Sequence, residues 1–161
     1  MRMNHVFAAA FVAGSILACA PVIAAEPSPE AARGKYLVQI TGCNDCHTAG
    51  YAMAGGAVAE SEWMTGDTLG WRGPWGTTYA PNLRLSAATK SEAEFVTLAR
   101  SPLRPPMPFF NLRAMTDADV KAIYAYLKHL GPAGKPAPAY LPPGQEPPGP
   151  YVTFPAPPPA G

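Results

Sequence analysis

The chain has 161 residues, with 12 Lys+Arg against 11 Asp+Glu and a formal net charge of +1. That balance excludes the basic character of a general nucleic-acid binder, and the length suits one domain with its own core. Three cysteines are too few for a disulfide scaffold.

At the N-terminus Arg2 supplies a short basic start. Val6 to Ala18 is an apolar run shorter than a comfortable bilayer span, and small residues follow to Val22-Ile23-Ala24-Ala25. This pattern predicts an export signal over residues 1–25, cleaved after Ala24 or Ala25. Two alternatives stay open: a retained membrane anchor, and lipidation at Cys19, since Ile16-Leu17-Ala18-Cys19 loosely resembles a bacterial lipoprotein cleavage site. Removal of the signal leaves a formally neutral chain whose cysteines are Cys43 and Cys46. The expected location is the periplasm.

Glu30 to Ile40 carries Ala31, Leu37, Val38 and Ile40 among polar residues and predicts a short helix. Gly34 inside it costs helix stability and suggests close approach by another element. Gly42 closes the helix. Cys43-Asn44-Asp45-Cys46-His47 follows, two thiols three residues apart and then an imidazole, which is the attachment sequence of a c-type haem. Each thiol can add across one vinyl group, and His47 is placed to be the proximal iron ligand. A thioredoxin-like dithiol would want a strand–helix context, and a zinc site would want a second ligand pair, which His5 and His129 do not make.

Tyr51 to Pro81 is rich in Gly and aromatics, with Trp63, Trp71, Trp75 and Tyr79. Its weak periodicity predicts a long ordered loop wrapped around something large and flat. Trp71, Arg72, Trp75 and Asn82 are candidate donors to haem propionates, which need partners where they are partly buried. Alternatively the tryptophans pack on the ring and Arg72 faces water. Ser91-Glu92-Ala93-Glu94 is a capping-box pattern opening a helix to about Arg100.

Arg104-Pro105-Pro106-Met107-Pro108-Phe109 then offers a thioether on a proline-braced backbone. A methionine in the second axial position raises the haem potential, and Met107 is the candidate distal ligand. Met64 is the reserve. Met53 lies close to His47 in sequence, and Met115 precedes a helix cap, where it would pack. Arg100, Arg104 and Arg113 bracket this loop, either steering an acidic partner or as ordinary surface charge. Thr116-Asp117-Ala118-Asp119 opens the strongest helix, with a stripe of Val120, Ile123, Tyr124 and Leu127, stopped by Gly131-Pro132. From Pro132 onward 12 of 30 residues are proline, which predicts an extended tail without a core. Nothing reads as a strand.

From about Arg33 to Leu130 the chain resembles a monohaem class I cytochrome c. The match comprises a helix with Gly34 and Tyr36, C-x-x-C-H, a long middle, a Met loop and a last helix with Tyr126-Leu127. In that family the first and last helices cross where a glycine meets an aromatic, and Gly34 and Tyr126 are the matching positions. The stretch Trp75-Gly76-Thr77-Thr78-Tyr79-Ala80-Pro81-Asn82-Leu83 also resembles cytochrome c subunits of bacterial alcohol and aldehyde dehydrogenases. Those subunits usually carry several C-x-x-C-H motifs, and this chain has one.

The resemblance implies an all-α cytochrome c fold, three or four helices around one covalently bound haem c, with long loops and the proline-rich tail. Residues 1–25 would be the signal, 26–131 the cytochrome c domain and 132–161 the tail. The implied function is one-electron transfer rather than catalysis, with a dehydrogenase or oxidase as redox partner and no nucleic acid. Membrane association would come only through a retained signal or lipidated Cys19. Two alternatives are a haem enzyme or sensor with an open sixth site, and a haem subunit docked to a larger complex through its tail.

Overall fold

The computed structural model describes residues 26–155. The expected signal, Cys19 included, and the last six residues of the proline-rich segment lie outside the described residues. Helix α1 spans Pro29–Ile40, started by Ser28, whose hydroxyl accepts from the Ala31 amide at 3.1 Å, and by Pro29 in the first turn. Helix α2 is Cys43–His47, α3 Leu83–Thr89, α4 Glu92–Arg100, α5 Phe109–Ala114 and α6 Asp117–Leu130. The expected capping box forms at Ser91 and Glu94, and Thr116 caps α6 by accepting from the Asp119 amide at 3.1 Å.

Helices α1 and α6 pack at the centre. A side-chain carbon on Gly34 would sit 1.9 Å from the Ala122 carbonyl oxygen and 2.8 Å from the Tyr126 Cβ, so only hydrogen fits there. Around this crossing Leu37, Val38, Val120, Ile123 and Leu127 are buried with Phe95 of α4 and with Trp63 and Met64 of the connecting segment. Arg84 of α3 fastens the end of α6. Its guanidinium donates to the carbonyls of Gly131 (2.5 Å), Leu130 and Ser61 (2.6 Å), at 6 % exposure.

Two expectations are corrected. Six α-helices, not three or four, are present among the described residues, because α2, α3 and α5 are only 5, 7 and 6 residues long and too short for a periodic stripe. The fold is also mostly helical rather than all-α. Strands β1 (Gly70–Gly73) and β2 (Gly76–Tyr79) form an antiparallel hairpin around Pro74-Trp75, and β3 (Tyr151–Thr153) lies parallel to β1, in the order β2-β1-β3.

That hairpin occupies part of the segment expected to be loop. The segment after Gly131 contains no helix in its described part, and it takes both outer edges of the hairpin. Besides β3 on β1, Leu141 exchanges two backbone hydrogen bonds with Thr77 of β2, at 2.8 and 3.0 Å. Pairing satisfies edge N–H and C=O groups that would otherwise stay open.

Candidate functional site

The cysteine motif enters the structure through a sharp turn. Thr41 caps α1, and Gly42, at φ 70°, adopts the left-handed conformation that lets α2 begin at once. One turn of helix then places Cys43, Cys46 and His47 on a common cavity of about 350 Å³. Both cysteines are free. Burial, with the Asp45 carboxylate adding to it, pushes each thiol above its usual range. Neither is the depressed thiolate that dithiol redox chemistry uses.

His47 is 5 % exposed, and its Nδ1 lies 2.9 Å from the Pro81 carbonyl oxygen. A carbonyl can only accept, so Nδ1 carries the proton and Nε2 keeps the lone pair. Burial lowers the imidazole pKa, although the Pro81 hydrogen bond opposes it, and so favours the neutral ring that binds metals. The Pro81 carbonyl therefore fixes tautomer and orientation together, as outer partners of ligating histidines do.

Two of the described methionines line the cavity. Met107 arrives on the loop between α4 and α5, where its amide donates to the Arg104 carbonyl at 3.3 Å and its carbonyl accepts from Phe109 at 2.8 Å. Met64 is fully buried at φ 61° and tied to the histidine's own wall. Its amide donates to the Thr48 hydroxyl at 2.8 Å, and two residues later Gly66 donates to the His47 carbonyl at 2.8 Å. Met53 is 92 % exposed, and Met115 packs against the helical core; neither lines the cavity.

Of the four candidate propionate donors the structure brings only Trp71 to the cavity. Arg72 is paired with Glu146 at 2.5 Å and reaches the Tyr151 hydroxyl at 3.3 Å. Trp75 donates its indole N–H to the Trp71 carbonyl at 3.3 Å and packs on Phe154. Asn82 caps α3, accepting from Leu85 at 3.0 Å and donating to the Ala133 carbonyl at 2.8 Å. Trp75 and Asn82 thus have their side-chain polar atoms engaged elsewhere, and Arg72 is engaged through Nη1. Arg100 is likewise structural, bonded to the carbonyls of Leu112 and Met115 and to Asp117.

Sequence reasoning missed Thr78, Pro138 and Tyr140 as cavity residues, and it placed Arg104 only as a steering charge. A lone tyrosine inside Pro-Ala-Pro-Ala-Tyr was the available signal for the second wall. The remaining walls are mostly aliphatic and aromatic, among them Leu83, Phe95, Leu98 and Ile123.

The donor chemistry fits a covalently held haem: two thiols and a neutral imidazole on one helix, a thioether on a separate loop, and apolar walls. It does not fit a multi-ligand metal site, since among the described residues no three His, Cys, Asp or Glu side chains gather to hold an ion.

The Cytochrome c family model matches residues 31–131. The cytochrome c subunit of alcohol dehydrogenase (quinone) from Gluconacetobacter polyoxogenes is 31% identical over 144 residues, covering 80% of this chain and 28% of that protein. The fructose dehydrogenase cytochrome subunit of Gluconobacter japonicus is 28% identical over 133 residues, 73% of this chain and 25% of that one. A nicotinate dehydrogenase subunit of Pseudomonas putida is 28% identical over 120 residues, 66% of this chain and 9% of that one. The chain thus spans between 9% and 28% of the length of these relatives. No solved structure matches it.

Proposed function

The chain belongs to the cytochrome c family and carries a covalently bound haem c, and from that premise we propose that it is a one-electron carrier with His47 and Met107 as its axial ligands. The haem supplies the redox chemistry, taking up or releasing one electron at iron. Cys43 and Cys46 hold it covalently. His47 offers Nε2 from a ring oriented by Pro81, Met107 offers a thioether that favours the reduced iron, and the apolar walls keep water away.

One observation carries the choice of Met107. Met64, the other thioether at the cavity, is bonded through Thr48 to the wall that bears His47, whereas Met107 comes from an independent loop. With both axial positions filled, the reduced protein should not bind carbon monoxide on mixing. Rapid formation of a CO complex by the wild-type protein would favour the enzyme or sensor reading with an open sixth site.

The relatives that are cytochrome subunits of alcohol and fructose dehydrogenases support a dehydrogenase as electron donor. Either free shuttling or a docked subunit meets that role. Co-purification of the full chain with a dehydrogenase at low salt, lost at high salt, would favour docking. The periplasm is the proposed location, reached through residues 1–25, with 26–131 as the haem domain and 132–161 as the tail. The basic start, the short apolar run and the Ala24-Ala25 end support export. A mass for the cell-extracted protein beginning at Ala25 or Glu26 is expected; a lipid adduct on Cys19 would replace that reading with anchoring.

A further inference from the structure

The segment after Gly131 does more at the cavity than close a sheet edge. Pro138 and Tyr140 line the cavity together with Arg104 and Met107. The Arg104 guanidinium stacks on the Tyr140 ring at 4.2 Å, and the Tyr140 hydroxyl donates to the Trp75 carbonyl at 2.8 Å. Arg104 in turn accepts the Met107 amide at its own carbonyl. The next residue, Pro105, accepts from the Thr78 hydroxyl at 2.8 Å, while Thr77 beside it is paired with Leu141. Strand β2 is thus bonded to the strap on one residue and to the methionine loop on the next. The strap has no slack at this point: a side-chain carbon on Gly76 would meet the Leu141 carbonyl oxygen at 2.2 Å.

We propose that Tyr140 is a positioning residue, holding the Met107 loop through Arg104 so that the thioether is kept at the cavity. The loop between α4 and α5 has few fastenings of its own, so an aromatic plate under Arg104 restricts the backbone three residues before the methionine. The ring acts by a cation–π contact and the hydroxyl by anchoring the ring to the hairpin. The consequence for ligation rests on Met107 as the distal ligand; the bracing of the loop does not.

The test uses the full-length ferric holoprotein and amide hydrogen exchange. In Tyr140→Ala, exchange at Met107 and Phe109 should be about tenfold faster than in wild type, and about threefold faster in Tyr140→Phe, which keeps the ring. Exchange at Val120 and Ile123 in α6 should not change. The pH at which the ferric red band of thioether ligation is lost should fall in Tyr140→Ala. Arg104→Gln should reproduce these effects, with no further change in the double variant. Unchanged exchange at Met107 and Phe109, or equal acceleration in α6, overturns the brace. If Met107→Ala retains the red band, the ligation reading falls alone, and the exchange result still decides the brace.

Discussion

The two sides of the haem cavity are built differently. The cysteine side is helical: α1 and α6 cross in contact at Gly34, and α2 springs directly from that frame. The methionine side is a hairpin, a proline-rich loop and a strap: the strap pairs with both hairpin edges, while the methionine loop is held by single hydrogen bonds and one stacked arginine. The first side is set by packing that tolerates no extra atom. The second is set by contacts that can be loosened one at a time. A covalent tether suits the rigid side, and ligation by Met107, as proposed, would put the potential-tuning ligand where small changes can adjust it.

Substitutions should separate the two sides by the size of their effect. Gly34→Val should be the most damaging, since backbone lies where its side chain would go; a loss of about 3 kcal/mol or more is expected in denaturant unfolding. A midpoint equal to wild type would refute the close crossing. Arg84→Met, which strips the Leu130 and Gly131 carbonyls at the end of α6 and the Ser61 carbonyl of their shared donor, should cost about 2–4 kcal/mol. Near-wild-type unfolding would show that those carbonyls find water instead.

Smaller still is the acid response of Glu60, which accepts from Lys35 at 2.5 Å and from the Tyr126 hydroxyl at 2.8 Å. Burial pushes its carboxyl up, but these two donors outweigh it and leave the pKa below the usual 4.5. Its contribution is therefore complete above that value and is lost as pH falls through the lowered one. Glu60→Gln should flatten the acid limb of a stability–pH curve in that window; an unaltered limb would contradict the assignment. The smallest effect belongs to Arg33→Ala, which removes an exposed pair with Asp119 at 3.0 Å. It should leave the unfolding midpoint close to that of wild type, because solvent screens the pair.

The same contrast explains how much could be read from the sequence. The helical side is written locally: Ser28-Pro29 and Thr116 start α1 and α6, the stripe of Val120, Ile123 and Leu127 turns inward, and C-x-x-C-H sits beside Gly42. The hairpin side is written at long range. Strands of three and four residues are too short for alternation to show, and β1 finds β3 only after the chain has passed through every helix that follows.

Arg72 is legible as a cation, but its partner Glu146, 74 residues away, is not. Asn82 stands before an apolar turn, a capping signal that competes with the cofactor reading and prevails in the fold. Met107 is legible because its prolines are adjacent to it, whereas its brace, Tyr140, lies in a segment whose composition suggests nothing to hold.

Ligation by Met107 would take the soft ligand from the loosely fastened side. The most direct measurement is the weak red absorption band of the ferric protein, which reports a thioether bound to iron. The band is expected in wild type and in Met64→Ala, with its complete loss and a lowered reduction potential in Met107→Ala. A band that survives in Met107→Ala and disappears in Met64→Ala would make Met64 the ligand and rule out Met107.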